Sequence, residues 1–226
     1  MKLLKNNVLS LLLLLFSATA SSGERIVFVP DLAKITQPAE WTVHNRTATF
    51  IKDQQQGSVS FDAQPEAGIA WLKNNLIGSE NLTIEVDLKG SDEKDKSYLG
   101  IAFNGQDEKN YEAVYFRPFN FNAADPMRKS HAVQYIAEPD HPWEQLRKDQ
   151  PGSYENAISP PVNPNEFFHL KMILNKQQLR VFVNNATEPT LTVERLTADK
   201  TGWIGFWMGK NSAGAFKNLT IAPAIQ

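Results

Sequence analysis

Asn81-Leu82-Thr83-Ile84-Glu85-Val86-Asp87-Leu88 alternates polar and apolar residues along its whole length, and the stretch 167–174 does nearly the same. A period of two sends successive side chains to opposite faces of a strand. Leu82, Ile84, Val86 and Leu88 therefore share one face, with Thr83, Glu85 and Asp87 on the other. In the second stretch Phe168, Leu170, Met172 and Leu174 stand opposite His169 and Lys171. One dry and one wet face mark a sheet packed on a single side, as in a sandwich. Outward from these two, strand-like runs bounded by polar residues, Gly or Pro lie at 25–29, 41–44, 47–52, 57–62, 68–73, 97–104, 111–117, 131–136, 178–184, 190–194, 202–208 and 214–221. The helix candidate is a short one, 143–148 behind Pro142. The pattern predicts an all-β fold, a two-sheet antiparallel jelly-roll sandwich.

Three strands lack a wet face. Leu99, Ile101 and Phe103 leave Tyr98, Gly100 and Ala102 opposite them, and Ile204, Phe206 and Met208 leave Trp203, Gly205 and Trp207. Val114 and Phe116 leave Tyr111, Ala113, Tyr115 and Arg117. Each second face mixes large rings with Gly or Ala. Small residues make a floor that another group can approach closely, and flat rings offer stacking surface. Two readings follow: a concave ligand face, or a second small core beneath a long connection.

Two connections are candidates for that cover. Residues 137–166 hold six prolines, with His141, Trp143, Arg147, Tyr154 and Glu155 among them. A connection this long that carries Trp and Tyr predicts an ordered flap over one face. The shorter connection 118–130 ends at Arg128 and leads to His131 and Gln134, a second wall.

The N-terminus reads as a secretory leader. Lys2 and Lys5 precede an apolar run at 8–16, and Ala18-Thr19-Ala20 offers a small-x-small cleavage site. The run is well short of the roughly 20 residues that span a bilayer, and no later run is long enough, so no membrane span is expected. Cleavage leaves 21–226 as one sandwich domain, exported to the periplasm or beyond. With no Cys, disulfides and thiolate metal sites are excluded. The net charge of −2 becomes −4 once the two leader lysines are lost, which argues against nucleic acid and anionic lipid as partners.

The last third carries the most specific motifs. Phe167-Phe168-His169-Leu170-Lys171-Met172 with 178–185, then Gly202-Trp203-Ile204-Gly205-Phe206 and Ala215-Phe216-Lys217-Asn218-Leu219, resemble the closing strands of laminin-G domains in the concanavalin A-like lectin/glucanase superfamily. The resemblance covers about 57–221 and implies that sandwich, a fold that hosts lectins, glycosidases, lyases and adhesion modules. Gly100-Ile101-Ala102-Phe103 followed by Tyr111-Glu112 is similar to the strand pair of the 3-keto-disaccharide hydrolases. That group often has Arg after the Phe, where this chain has Asn104; Arg117 on the next strand is a replacement charge.

Glycoside hydrolysis generally needs two carboxyl groups, about 5 Å apart for retention and further for inversion. Glu85-x-Asp87 resembles the start of the E-x-D-x-x-E motif of family-sixteen glucanases, but the third acid falls at Gly90. Glu112 adjoins the aromatic face yet shares parity with Val114 and Phe116, which favours a strand-end ion pair. Glu112 and His131 are the candidate catalytic groups. The candidate ligand-binding residues are Tyr111, Tyr115, Arg117, Arg128, Gln134, Trp143, Tyr154, Trp203 and Trp207. His44, His131, His141 and His169 show no metal-binding spacing, and His169 is expected to face solvent. No cofactor is expected; calcium held by scattered Asp and Asn oxygens, as in many laminin-G domains, stays open.

Three functions compete: a carbohydrate-binding sandwich, a hydrolase or lyase using Glu112, Arg117, Arg128, His131 and Tyr154, and a protein-binding module. The parity reading itself is testable. Ile84→Ala and Ile101→Ala are each expected to cost about 2–5 kcal/mol in denaturant melts, and two silent variants would refute it.

Overall fold

The computed structural model describes residues 27–54, 57–73, 81–197 and 201–224. The expected leader, its cleavage point, and Arg25 and Ile26 of the first expected strand lie outside them. Strands β1 to β7 are Trp41–His44, Ala48–Ile51, Ser58–Phe61, Gly68–Leu72, Leu82–Lys89, Leu99–Gly105 and Tyr111–Phe116. Helix α1 (Pro126–Ser130) precedes β8 (Val133–Glu138), and helix α2 (Trp143–Asp149) precedes β9 (Glu155–Asn156). Strands β10 to β14 are Phe168–Leu174, Gln178–Val183, Leu191–Glu194, Trp203–Met208 and Gly214–Pro223.

Among the described residues these strands form two antiparallel sheets of seven, one ordered β1-β4-β13-β6-β7-β8-β9 and the other β12-β11-β10-β5-β14-β3-β2. In the second sheet, β5 sets Ile84 against Met172, Val86 against Leu170 and Leu88 against Phe168 of β10. The alternations of these two strands thus face inward together. Ile84, Val86 and Leu88 are fully buried, with Leu82 half-buried at the strand end. Rings join the two layers. Phe206 of β13 stacks on Phe216 of β14 with centroids 4.4 Å apart, and Phe116 of β7 meets Phe168 of β10 edge-on at 5.0 Å. The Phe-x-Asn-Leu motif of β14 is read by a bulge between Lys217 and Thr220. Asn218 takes a left-handed φ of 57°, which Asn tolerates better than most residues. Phe216 and Leu219 on either side stay in the core.

The first expected strand is reduced to one bridge, Phe28 to Ile221, with Val27 and Val29 exposed on either side. The connection 137–166 is more regular than its prolines suggest. Strand β8 runs on to Glu138, Pro139 ends the ladder, and α2 and the short edge strand β9 follow. The connection 118–130 contains a turn at Pro118–Asn120 and then α1, started by Asp125, whose side chain accepts the Met127 N–H, with Pro126 at the first helical position.

On the outer face of the second sheet, His169 is held between two acids rather than simply facing solvent. Its Nδ1 lies 2.8 Å from Asp87 Oδ1 and its Nε2 3.4 Å from Glu85 Oε2. The hydrogen bond with Asp87 outweighs burial and raises the imidazole pKa above 6.5. Burial pushes the Asp87 carboxyl up, but bonds from His169 and Asn218 bring it below the ordinary value. A raised histidine stabilises the fold fully below its unfolded pKa and loses that contribution as pH rises through the folded value. A depressed aspartate contributes above its unfolded pKa and loses that as pH falls through its folded value. The melting-temperature advantage of wild type over His169→Gln is therefore expected to be largest between about pH 4 and 6.5 and to shrink on either side. An advantage that grows with alkalinity would contradict the pairing.

Candidate functional site

The outer face of the first sheet has the small floor that alternation predicts, with Gly205 opposite Ala102, Ala102 opposite Ala113, and Gly100 opposite Trp207 and Tyr115. The groups that approach this floor are the protein's own rings. Trp71 of β4, only 1% exposed, lies against Gly105 and Gly205, where an added Cβ would stand 2.4 and 2.9 Å from indole carbons. It meets Tyr111 edge-on at 6.1 Å and Trp203 at 6.2 Å. Trp207 donates its Nε1–H to the Tyr111 hydroxyl at 3.0 Å and packs on Tyr115 at 4.7 Å. Tyr115 in turn meets Tyr98, and Tyr98 meets Phe119. The open platform is thus a closed belt: Tyr111, Tyr115 and Trp207 are buried and Trp203 half-buried. Burial pushes the Tyr111 phenol up to about 12.

One end of the belt is basic. Arg117, at the exit of β7, donates from Nη1 to the His131 carbonyl (2.9 Å) and from Nη2 to the Tyr115 hydroxyl (2.7 Å). Trp143 of α2 is braced between two guanidinium groups, 5.8 Å from Arg117 and 4.7 Å from Arg147, and keeps 37% of its surface exposed. Arg147 forks onto Glu155 of β9 (3.0 and 2.6 Å), and His131 Nε2 stands 3.3 Å from the same carboxylate. Burial outweighs the pull of Glu155 and lowers the His131 pKa.

The other end is acidic. Glu138 closes β8 opposite Tyr111, half-buried and without a hydrogen-bond partner among the described residues. Burial, reinforced by Glu144 of α2, raises its carboxyl pKa. Sequence reading missed Glu138 because the strand was ended at Ile136. The signal was there, since Gln134, Ile136 and Glu138 share one parity. Trp71 was missed because Ile69-Ala70-Trp71-Leu72 is apolar at every position and shows no face.

Other candidates fall elsewhere. Glu112 points into the sandwich, fully buried, as its parity indicated. It accepts from Asn104 Nδ2 (2.7 Å), Tyr135 Oη (2.7 Å), Thr197 Oγ1 (2.5 Å), Arg195 Nε (3.2 Å) and Arg195 Nη2 (2.8 Å). Burial alone would raise its carboxyl, but these donors hold it below the ordinary value, so it stays ionised. Asn104 leaves the strand alternation at φ 52° to make its bond. Tyr154 also faces inward, stacked on Tyr135 at 5.7 Å, because Glu155 takes the outward position. Arg128 braces the 118–120 turn through the Phe119 carbonyl and Asn120. Gln134 is buried on the outer face, bonded to the Tyr135 and Tyr154 carbonyls. An open groove of about 600 Å³, with Lys94, Asp95, Lys96 and Asn211 in its wall, lies beside Tyr98, whose hydroxyl bonds Asp95. Among the described residues, no three His, Asp or Glu side chains gather as a metal site and no helix is long and apolar enough to cross a membrane.

No protein-family model and no curated protein matches this sequence. Solved structures do match its shape. The carbohydrate-binding module CBM66 from Bacillus subtilis superposes with a TM-score of 0.55 at 16% identity, over 81% of this chain and 95% of its own. The fold is a two-sheet antiparallel sandwich of the concanavalin A-like type. The VIP36 exoplasmic/lumenal domain, in a Ca2+/Man3GlcNAc-bound form, matches at 0.52 and 11% identity over 83% of this chain and 86% of its own. Domain 4 of AbnA, a GH43 extracellular arabinanase from Geobacillus stearothermophilus, in complex with arabinotriose, matches at 0.50 and 13% identity over 81% and 82%. Identities this low speak for the lectin-type fold alone.

Within this sandwich Glu112 and Arg195 form a buried ion pair. Arg195→Met leaves the carboxylate without its cation and is expected to cost about 3–5 kcal/mol in denaturant melts. Adding Glu112→Gln should recover part of that loss. A Glu112 that served a ligand instead would leave the melt of Arg195→Met unchanged.

Proposed function

We propose that this protein is an exported carbohydrate-binding sandwich whose ligand lies along the rim of the ring belt. The observation that carries this is the presence on one face of an exposed, braced indole, Trp143, and an acceptor, Glu138, that has no hydrogen-bond partner among the described residues. A sugar ring presents an apolar C–H face and a rim of hydroxyls. Trp143 and the half-buried Trp203 suit the first, while Glu138 and Glu144 accept hydrogen bonds from the second. Export is supported by the leader-like sequence. The ligands of the structural neighbours, Man3GlcNAc and arabinotriose, and the carbohydrate-binding module CBM66 support a glycan as the partner.

A hydrolase acting on modified sugars is the second reading, and it is favoured by the Glu138 and Glu144 carboxyls. A carboxyl whose pKa is raised by burial and a neighbouring acid, as that of Glu138 is, holds its proton longer and is the better placed to give it to a leaving group. Glu138→Gln that abolishes turnover while sparing binding would establish this reading over the first.

Glycan arrays followed by titration calorimetry test the binding reading. Trp143→Ala is expected to weaken the identified glycan by about tenfold with the melt nearly unchanged, because the lost stacking is at an exposed ring. Absence of binding to any glycan at high concentration would end the proposal.

A further inference from the structure

Resting on the carbohydrate reading, we infer that the glycan is acidic and that a uronic acid carboxylate is bound at the Arg117 and Arg147 end of the belt. Arg117 is 6% exposed. Buried charges are ordinarily matched by an opposite charge. Glu112 obeys that rule, since Arg195 faces it at 2.8 Å. Arg117 does not: among the described residues no carboxylate pairs with it, and a carbonyl, a phenol and three ring faces are its surroundings. Of its five N–H donors, those two neutral acceptors take one each.

A second buried group beside it is also incomplete. Gln134 is 1% exposed, and its register sets it between Tyr115, which holds Arg117, and Glu155, which holds Arg147. Its Oε1 is buried without a hydrogen-bond partner among the described residues. An unmatched cation and an unmatched acceptor side by side suit a carboxylate flanked by a hydroxyl, the pattern of a uronic acid. Arg147 commits Nε and Nη2 to Glu155, and its side chain keeps 30% exposure, so an entering carboxylate meets it first with Arg117 behind. The acids nearby set the ligand's direction. Glu155 is already matched by Arg147, Asp125 acts on His131, and Glu144 acts on both Tyr115 and Glu138, whereas Glu138 stands opposite Tyr111 at the other end. Glu138 repels a carboxylate and accepts hydroxyls, so the acid group is sent to the arginine end.

Calorimetry on the full chain would compare oligouronides of galacto, gluco and manno configuration with their methyl esters, which keep the ring and remove the charge. One of the acids is expected to bind at least about tenfold tighter than its ester, the return expected of a charge-assisted pair. Arg147→Gln should remove most of that preference. Arg117→Lys, a point charge without the fork, should narrow it; if this variant fails to fold, the wild-type comparison and Arg147→Gln still decide. An ester that binds as well as its acid, or neutral glycans bound with no uronide bound, overturns the inference and leaves the carbohydrate reading standing. Failure to bind any glycan overturns both.

Discussion

Phe206 and Phe216 stack across the sandwich with centroids 4.4 Å apart, and the strand that carries Phe206 has a second ring contact on its other side, Trp207 on Tyr115 at 4.7 Å. A strand packed on both faces leaves no parity for water. Its sequence must therefore be apolar throughout, and glycine is required where a neighbour's ring lies flat on the backbone. Strand β13 meets both conditions, with Gly205 at the place where Trp71 crosses it. The belt then inherits the rigidity of the core beneath it, because moving Trp207 means moving the strand that holds Phe206. A rim fixed in this way can orient a ligand without first having to be ordered.

This double packing also explains what could be read from the sequence. Strands β5 and β10 have one wet face, so their parity was plain and their inward residues were correctly assigned. In β13, β6 and β7 the parity was equally readable, but whether the second face was open or covered is a matter of which rings lie on it. Trp71 decides that, and it sits in a run with no alternation. Within 137–166 the helix behind Pro142 was legible and is α2, whereas β9, two residues long, has no alternation to read. Pro139 and Pro142 stand at the boundaries of β8 and α2 rather than inside them, and boundary prolines resemble those of a loop. Glu138 was lost to the same ambiguity, since the Pro after it made the strand look shorter than it is.

Asn104 illustrates how a motif departure acquires a structural meaning. By simple alternation it belongs to the outer face with Gly100 and Ala102. The register between β6 and β13 shifts near the strand end, Asn104 adopts a left-handed φ, and its amide reaches Glu112 on the inner side. Asn is among the few residues that accept this backbone and also donate a hydrogen bond from a short side chain. The position therefore serves the buried carboxylate, and the outer face takes its positive charge from Arg117 on the neighbouring strand.

Two buried charges within one strand are thus treated in opposite ways. Glu112 and Arg117 are five residues apart on β7 and its exit, so parity sends one inward and the other outward. The inward charge is saturated by Arg195, Thr197, Tyr135 and Asn104. Such a group has nothing left to offer a ligand, and its role is to tie β6, β7, β8 and the segment after β12 together. Among the described residues, the outward charge is covered by rings and neutral acceptors. Rings attract a guanidinium through their negative faces but do not cancel its charge. The field of Arg117, itself buried, therefore persists to the rim at Trp143, where an anion that leaves water would feel it. Saturation identifies the structural charge, and the absence of it identifies the one to which the exposed end of the belt can respond.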